Sequence, residues 1–432
     1  MFIKMNLTRN QIIIISITIA IILLAVLMFI FFRQSGGGGG FGDGNKQIEL
    51  NFWGIEDSKN FQPVIDAYAQ SRPEIRINYR QIDANSYEDN LINALAAGRG
   101  PDILMLHNTW LPKHSDKIIA ATESQIPFSN FLQFFPTVAE QDLTSNGIIY
   151  GLPLYIDTLA LLYNKDAFDA KAVALPPTQW SGFQNLIPRL RIKNQLNQIT
   201  HAAAAIGGSE KSENQAADLF SLLMLQFGSP MINQQYSQAD FGAQGIEALN
   251  FYLQFSNPSG PFYTWNDNLP YSIDAFSQGA ADMIFNYAEA IPQIKAKNPF
   301  LNIGVAPMLQ FNSSQPINYA NYWGLAVSNK SQNSAWAWDF VLFATTNPEN
   351  SLKYLENSLH PPALRTLINQ YLTYPDLGIF AKQALTARSW YQPDSKTIKQ
   401  IFSNMIESVL NGRLSSDKAL EQAENEITSL MR

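Results

Sequence analysis

Ala96-Ala97-Gly98-Arg99-Gly100-Pro101-Asp102-Ile103-Leu104-Met105-Leu106 is the stretch on which the fold turns. Gly98 and Gly100 stop a helix, and Pro101 introduces a continuous apolar run suited to a buried parallel strand. Upstream, Tyr87, Leu91, Ile92 and Leu95 recur at helical spacing, preceded by a strand pattern at Arg76-Ile77-Asn78-Tyr79. Before that lie another helical face, Phe61, Val64, Ile65 and Tyr68, and the alternating strand Ile48-Glu49-Leu50-Asn51-Phe52, which Trp53-Gly54 ends. Strand, helix, strand, helix, strand at this spacing predicts an α/β sheet.

Downstream a second unit is expected from about Tyr155. Leu159-Ala160-Leu161-Leu162-Tyr163 reads as a strand, and Pro176-Pro177-Thr178-Gln179-Trp180 opens a helix. Asn214 to Leu225 is a further helix, with Leu219, Leu222, Leu223 and Gln226 periodic. Ala281-Asp282-Met283-Ile284-Phe285 and Tyr322 to Val327 are further strands. Ile398, Ile401, Phe402, Met405, Ile406 and Val409 make one apolar helical stripe, stopped by Gly412, and a last helix is expected from about Asp417 to Met431. No internal repeat of fixed period is present.

The beginning of the chain has a different character. Lys4 and Arg9 precede an uncharged run from Ile12 to Phe32, about 30 Å long as a helix and thick enough to span a bilayer core. The positive flank predicts residues 1–10 on the cytoplasmic side, a transmembrane anchor over 11–32 and the rest outside. A cleaved secretory signal is the other reading, but its core is usually about 7–15 residues and ends at small side chains, which Phe29-Ile30-Phe31-Phe32-Arg33 does not offer. Residues 33–46, in which Gly36 to Gly44 is almost all glycine, broken by Phe41 and Asp43, read as a flexible tether with a reach of about 20 Å.

Nearly 400 residues follow, enough for two or more cores. Of the whole chain, 46% is hydrophobic and 15% charged, a globular composition. No cysteine is present, which excludes disulfides, thiolate metal sites and a lipid-modified cysteine. The net charge of −7 understates the exterior: without Lys4, Arg9, Arg33, Lys46 and Asp43, residues 47–432 hold 25 basic and 35 acidic side chains. That balance argues against nucleic acid or anionic lipid as the ligand of this part.

The ordered segments resemble the family 1 extracellular solute-binding proteins, the carbohydrate-type receptors of ABC importers, over nearly all of 47–432. Ala96–Ile103 fits the family's "aag…PDi" element. Gly147-Ile148-Ile149-Tyr150-Gly151-Leu152-Pro153 with Leu162-Tyr163-Asn164-Lys165-Asp166 is similar to its crossover, "yglP…lyYNkdlf". Pro176–Trp180 resembles "pP-x-TW" with Gln179 inserted, Phe276–Met283 resembles "f-x-G-kaaM", and Tyr322-Trp323-Gly324-Leu325-Ala326-Val327-Ser328 resembles "gWglaIs" with Tyr322 for the leading glycine. The resemblance implies an α/β, two-lobed periplasmic-binding-protein-like fold (type II), here preceded by one N-terminal transmembrane helix. Lobe one is expected to combine 47–153 with about 286–330, and lobe two 154–285 with about 331–432 and its C-terminal helices. It also implies hinge strands and closure on a ligand between the lobes, with ABC permease subunits as partners.

Ligands of open α/β sheets bind beyond strand ends. Trp53, Glu56 and Asp57 follow the first strand; His107, Asn108 and Trp110 follow the strand at 102–106. Tyr155 and Asp157 fall at the expected first hinge, Tyr287 and Glu289 just past the second, and Trp265, Trp323 and Trp390 complete the candidate binding set. Aromatic faces pack on the C–H faces of a sugar, while carboxylates and amides serve its hydroxyls. A packing role competes at each position: Trp53 could cap a sheet edge, Trp265 could be a packed corner, and Trp180, Trp336 and Trp338 are expected in the core. Arg388 could meet a ligand, though pairing with a surface acid is the default.

The sequence offers no catalytic signature. There is no G-x-S-x-G elbow, and His107 and His114 lack metal-binding spacing and are expected to be ordinary surface or loop histidines. The glycines of 36–44 are not a phosphate loop. No cofactor, metal or catalytic residue is expected. The expected function is capture of a small solute, a mono- or oligosaccharide by preference, for an ABC importer. A membrane-tethered sensor, a surface glycoside-active enzyme using Glu56, Asp57, Asp157 or Glu289, and a cationic ligand near Asp157 and Glu289 are the alternatives.

Overall fold

The computed structural model describes residues 47–431. The cytoplasmic segment, anchor and tether expected over 1–46 lie outside the described residues, among which no helix is long and apolar enough to cross a membrane.

Strand β1 (Ile48–Gly54) alternates as its sequence does, with Leu50 and Phe52 inaccessible and Glu49 and Asn51 exposed. Asp57 caps the Ser58–Ser71 helix by accepting from the Lys59 backbone N–H at 3.0 Å, and that helix buries Phe61, Val64, Ile65 and Tyr68. After β2 (Ile75–Gln81), the Ala84–Ala96 helix buries Tyr87, Leu91 and Leu95. It stops ahead of Gly98, whose φ of +67° suits glycine. Strand β3 (Ile103–His107) then runs parallel to β1, wholly buried through Leu106.

The chain continues with β4 (Ile118–Ile119), β5 (Leu152–Pro153), β6 (Asp157–Thr158), β7 (Ala160–Asn164), β8 (Met283–Asn286), β9 (Ile303–Ala306), β10 (Asn318–Asn321), β11 (Trp323–Ser328) and β12 (Ala387–Arg388). The first sheet has the order β2-β1-β3-β11-β4, and β5 also pairs with β11. Strand β11 is antiparallel to β3, with Trp323 opposite His107 and Val327 opposite Ile103. Gly324 lets β5 approach: a Cβ there would stand 2.6 Å from the Leu152 carbonyl oxygen.

The second sheet, β8-β7-β9, is antiparallel. It is buried on both faces, so its central strand reads as an unbroken apolar run. Leu159 and Leu161 join a core with Trp180, Phe183, Leu222 and Phe402, whereas Ala160 and Leu162 join another with Ile284, Ile294 and Phe380. The last two helices, Ser395–Leu410 and Ser416–Leu430, pack on the former core through Met405, Ile406, Leu420 and Ile427.

A short sheet, β12-β10-β6, joins the two. Asp157 lies opposite Asn321, β6 leads directly into β7, and β10 leads directly into β11. The chain therefore crosses between the large sheets at 153–160 and again at 321–323.

This corrects the expected partition. The return segment 286–330 is divided: β9 pairs with β7, and the Ala290–Lys297 helix buries Ile291 and Ile294 beside it, so only β11 returns to the first sheet. Nor do residues 331–432 stay together. The Ser334–Thr346 and Pro348–Ser358 helices pack on the first sheet's Ser58–Ser71 helix, with Tyr354 on Phe61 at 5.0 Å between centroids and the Tyr68 hydroxyl donating to Asp339 at 2.9 Å.

Candidate functional site

Two adjoining cavities open where the sheets face each other across β10, sharing Asn108, Thr109 and Gln392 on their walls. The smaller, about 380 Å³, takes Glu88, His107, Trp110 and Trp323 from the first sheet's side and Asp218, Ser221 and Lys399 from the second's. The larger, about 1420 Å³, is walled by Asn108, Gln141 and Asp142 on one side and by Tyr236, Arg388 and Trp390 on the other.

Trp110 and Trp323 form a corner in the smaller cavity, centroids 5.1 Å apart and planes at 76°. Tyr87 stacks behind Trp110 at 5.9 Å, and His107 meets Trp323 edge-on at 5.0 Å, so the corner is braced from both sides. The His107 Nδ1 lies 2.8 Å from the Thr109 hydroxyl and its Nε2 lies 2.9 Å from Asn321 Oδ1. Burial lowers its pKa, which favours the neutral imidazole. The Asn321 amide donates to Asp218 at 3.4 Å, and Asp218 also accepts the Tyr287 hydroxyl at 2.7 Å. One polar chain thus runs from the first sheet through β10 to the second.

A second network faces the larger cavity. Asp142 accepts from Asn108 Nδ2 at 3.0 Å, from the Tyr322 hydroxyl at 2.9 Å and from the Ser389 hydroxyl. Burial pushes its carboxyl up to about 7, against the pull of those three donors. Gln141 Nε2 donates to the Ser389 carbonyl at 2.8 Å, and Lys113 bridges Glu88 at 2.8 Å and Asp394 at 2.7 Å. These contacts tie the two sides together around the cavities.

The candidate residues separate into groups. Asn108, Trp110, Trp323 and Trp390 line the cavities, although Trp390 is 5% exposed and packs on Phe241 and Phe402. Tyr287 stands behind the wall, holding Asp218. Trp265 is a core residue at 1% exposure, the packed-corner reading. Asp57 is an exposed helix cap, and Trp53 is half-buried on β1 with the Arg80 guanidinium 4.9 Å over its ring.

Glu56, Tyr155, Asp157 and Glu289 instead surround His360, near the crossing at β6. His360 Nε2 lies 3.3 Å from Glu56, which also accepts the Tyr354 hydroxyl at 2.6 Å and Asn60 Nδ2 at 3.0 Å. Burial would raise the Glu56 carboxyl, but the His360 charge and these hydrogen bonds hold it below its ordinary value. Burial pushes Asp157 up to about 7. Glu289 is solvent-accessible yet crowded by protein, and desolvation raises its pKa.

Nothing in the sequence singles out His360, Asp142, Ser389, Asp218 or Lys399, and His107, expected to be an ordinary surface or loop histidine, is instead held in the cavity wall. Only His107 carried a local signal, its place at the end of the strand that decides the fold. The others meet their partners through tertiary packing alone.

The family model of the bacterial extracellular solute-binding proteins matches residues 53–350. The maltotriose-binding protein of Pyrococcus abyssi is 23% identical over 355 residues, covering 80% of this chain and 72% of that one. The mannitol-binding protein of Pseudomonas aeruginosa is 21% identical over 405 residues, covering 87% and 91%. Among solved structures, the sugar-binding protein MalE from Xanthomonas citri superposes with a TM-score of 0.74 at 18% identity, over 89% of this chain and 97% of that one. A Thermotoga lettingae ABC transporter solute-binding protein bound to α-D-tagatose gives 0.72 at 20% identity, over 89% and 100%. The two sheets are thus the centres of a two-lobed α/β binding-protein fold, and the chain belongs to the bacterial extracellular solute-binding proteins.

Proposed function

We propose that this protein captures a saccharide between its lobes and hands it to an ABC importer, tethered to that importer's membrane by its N-terminal segment. The observation that carries the reading is the Trp110–Trp323 corner, set among hydrogen-bonding groups from both lobes. Trp323, half-buried, offers apolar ring surface to the C–H face of a pyranose, and Trp110, 8% exposed and stacked on Tyr87, backs it at a steep angle. Glu88, Asp218 and Asn321 supply acceptors and a donor at hydroxyl reach. The relative named for maltotriose supports a saccharide, and the one named for mannitol supports a polyhydroxylated solute more broadly.

In this reading the first lobe comprises 47–153 with 323–358, the second 160–310 with 377–431, and the β6 and β10 strands are the hinge. A ligand touching both lobes favours closure by its differential affinity for the closed state. The expected site residues are Asn108, Trp110 and Trp323 on the first lobe, with Asp218 and Lys399 on the second, and Trp390 backs the wall of the larger cavity from the core. The Glu56, Tyr155, Asp157 and Glu289 group serves the hinge.

A thermal-shift screen of the purified protein against mono- and oligosaccharides, polyols, polyamines and amino acids tests the proposal. A ligand at a hundred times its Kd stabilises by about 2.7 kcal/mol. A saccharide hit supports the reading. A hit confined to polyamines or amino acids overturns the sugar while leaving a solute receptor.

A further inference from the structure

Among the described residues three charged side chains line the larger cavity: Glu140, Asp142 and Arg388. Asp142 is engaged by three donors. Arg388 differs from both acids in being a cation on a chain rich in carboxylates. Its backbone is fixed, since β12 sets Arg388 beside Tyr319 and the next residue, Ser389, is tied to Asp142 and Gln141. Its side chain is exposed and makes no hydrogen bond or ion pair with any described residue. The default expectation for such an arginine, a surface acid as partner, is therefore not met. Beside it the wall is aromatic, with Tyr236 and Tyr391 edge to face at 5.2 Å and 69°.

We propose that Arg388 selects an acidic saccharide, one whose sugar ring bears a carboxylate, and binds that carboxylate through its guanidinium fork. This rests on reading the cleft as the solute site. A guanidinium offers two parallel N–H donors that match the two oxygens of a planar carboxylate. A phosphate or sulfate, with three oxygens to satisfy, would call for further donors, and among the described residues Arg388 is the one cation on this wall. The neighbouring aromatic rings suit the apolar face of the same sugar.

The test uses matched trisaccharides that differ only at C6, galacturonate against galactose, glucuronate against glucose, and mannuronate against mannose. Calorimetric titration of the protein and of its Arg388→Ala, Arg388→Gln and Arg388→Lys variants reads the outcome, with melting temperatures confirming that each variant folds. For at least one pair the acidic member is expected to bind about tenfold or more tighter than its neutral partner. Arg388→Ala and Arg388→Gln remove that preference and leave neutral binding within about twofold, while Arg388→Lys keeps part of it and loses it faster with added salt. Neutral sugars binding as well as acidic ones, with Arg388→Ala weakening both alike, would make Arg388 a donor to hydroxyls and sink this inference while the receptor reading stands. Silence from every pair, with binding found only outside the saccharides, overturns the sugar reading and this inference with it.

Discussion

Tyr155 lies flat on His360, ring centroids 3.8 Å apart and planes within 3°. The stack covers a buried charge pair, because His360 reaches Glu56 through its Nε2 at 3.3 Å. The three residues come from three loops, Glu56 after β1, Tyr155 at the hinge and His360 after the Pro348–Ser358 helix, so the cluster fastens three segments together. His360→Ala removes the cation and leaves Glu56 buried among hydroxyl and amide donors alone. Breaking one partner of a buried pair costs about 3–5 kcal/mol. Equilibrium denaturation of His360→Ala, Glu56→Gln and the double variant is the check. The double variant is expected to recover part of the His360→Ala loss, and strictly additive losses would show that the two residues are not coupled.

Asp142 and Asp157 are both pushed up to about 7 by burial, from an ordinary 3.8. A carboxyl whose pKa is higher in the folded chain keeps a proton that the unfolded chain gives up. Its contribution to stability is full below the unfolded value and is lost as pH rises through the folded one, here between about pH 4 and about pH 7. Other groups titrate in the same interval, so the readout is a difference of differences. The melting temperature of the parent protein minus that of Asp142→Asn is expected to be greater by a few degrees near pH 5 than near pH 8. A gap that does not change with pH would mean that Asp142 stays ionised throughout.

Lys113 ties the lobes by holding Glu88 on its own side and Asp394 on the other. It is about one-third exposed, so the contribution is modest, about 1 kcal/mol or less after screening. Lys113→Ala is expected to leave the melting temperature within a few degrees of the parent while shifting the lobes toward opening. Small-angle scattering of the unliganded variant should show a larger radius of gyration than the parent. An unchanged radius would show that Ser389, Asp142 and Gln141 hold the lobes without it.

The parts of the fold legible in the sequence were those written in local periodicity. The Phe61–Tyr68 and Ile398–Ile406 stripes, the alternation of Ile48–Phe52 and the apolar run at 103–106 each report their own burial. The route of the chain between the sheets was not legible. Asn318-Tyr319-Ala320-Asn321 has no strand alternation, because its partners are the short β6 and β12, and the choice of β7 by β9 depends on residues far away in sequence. The same reason hid half of the site. Trp110 and Asn108 were visible because they follow a clear strand, whereas Asp142 and Ser389 carry no pattern that links them. Asp157 and Glu289 drew notice as acids near hinges, but the cation that gives them their setting, His360, lies in a Leu359-His360-Pro361-Pro362 loop with no periodic signal.

Trp323 and Trp390 look alike in the sequence, each an aromatic residue in a stretch facing the expected cleft, yet the structure predicts opposite consequences of removing them. Trp323 is half-buried at the head of β11, with one face in the smaller cavity and its backbone held opposite His107. Trp323→Ala therefore removes ligand surface more than core: saccharide affinity should fall by about tenfold or more, for one lost stacking face, with the melting temperature little changed. Trp390 is packed on Phe241 and Phe402, and its buried indole nitrogen meets no hydrogen-bond acceptor among the described residues. Trp390→Ala leaves a cavity in the second lobe and should cost about 3–5 kcal/mol of stability. Trp390→Phe keeps an aromatic ring against Phe241 and Phe402 and should retain most of the stability that Trp390→Ala loses. Chemical denaturation and calorimetry on the three variants separate the two roles. A Trp323→Ala protein that unfolds as easily as Trp390→Ala would move Trp323 into the core and leave Trp110 as the aromatic face of the site.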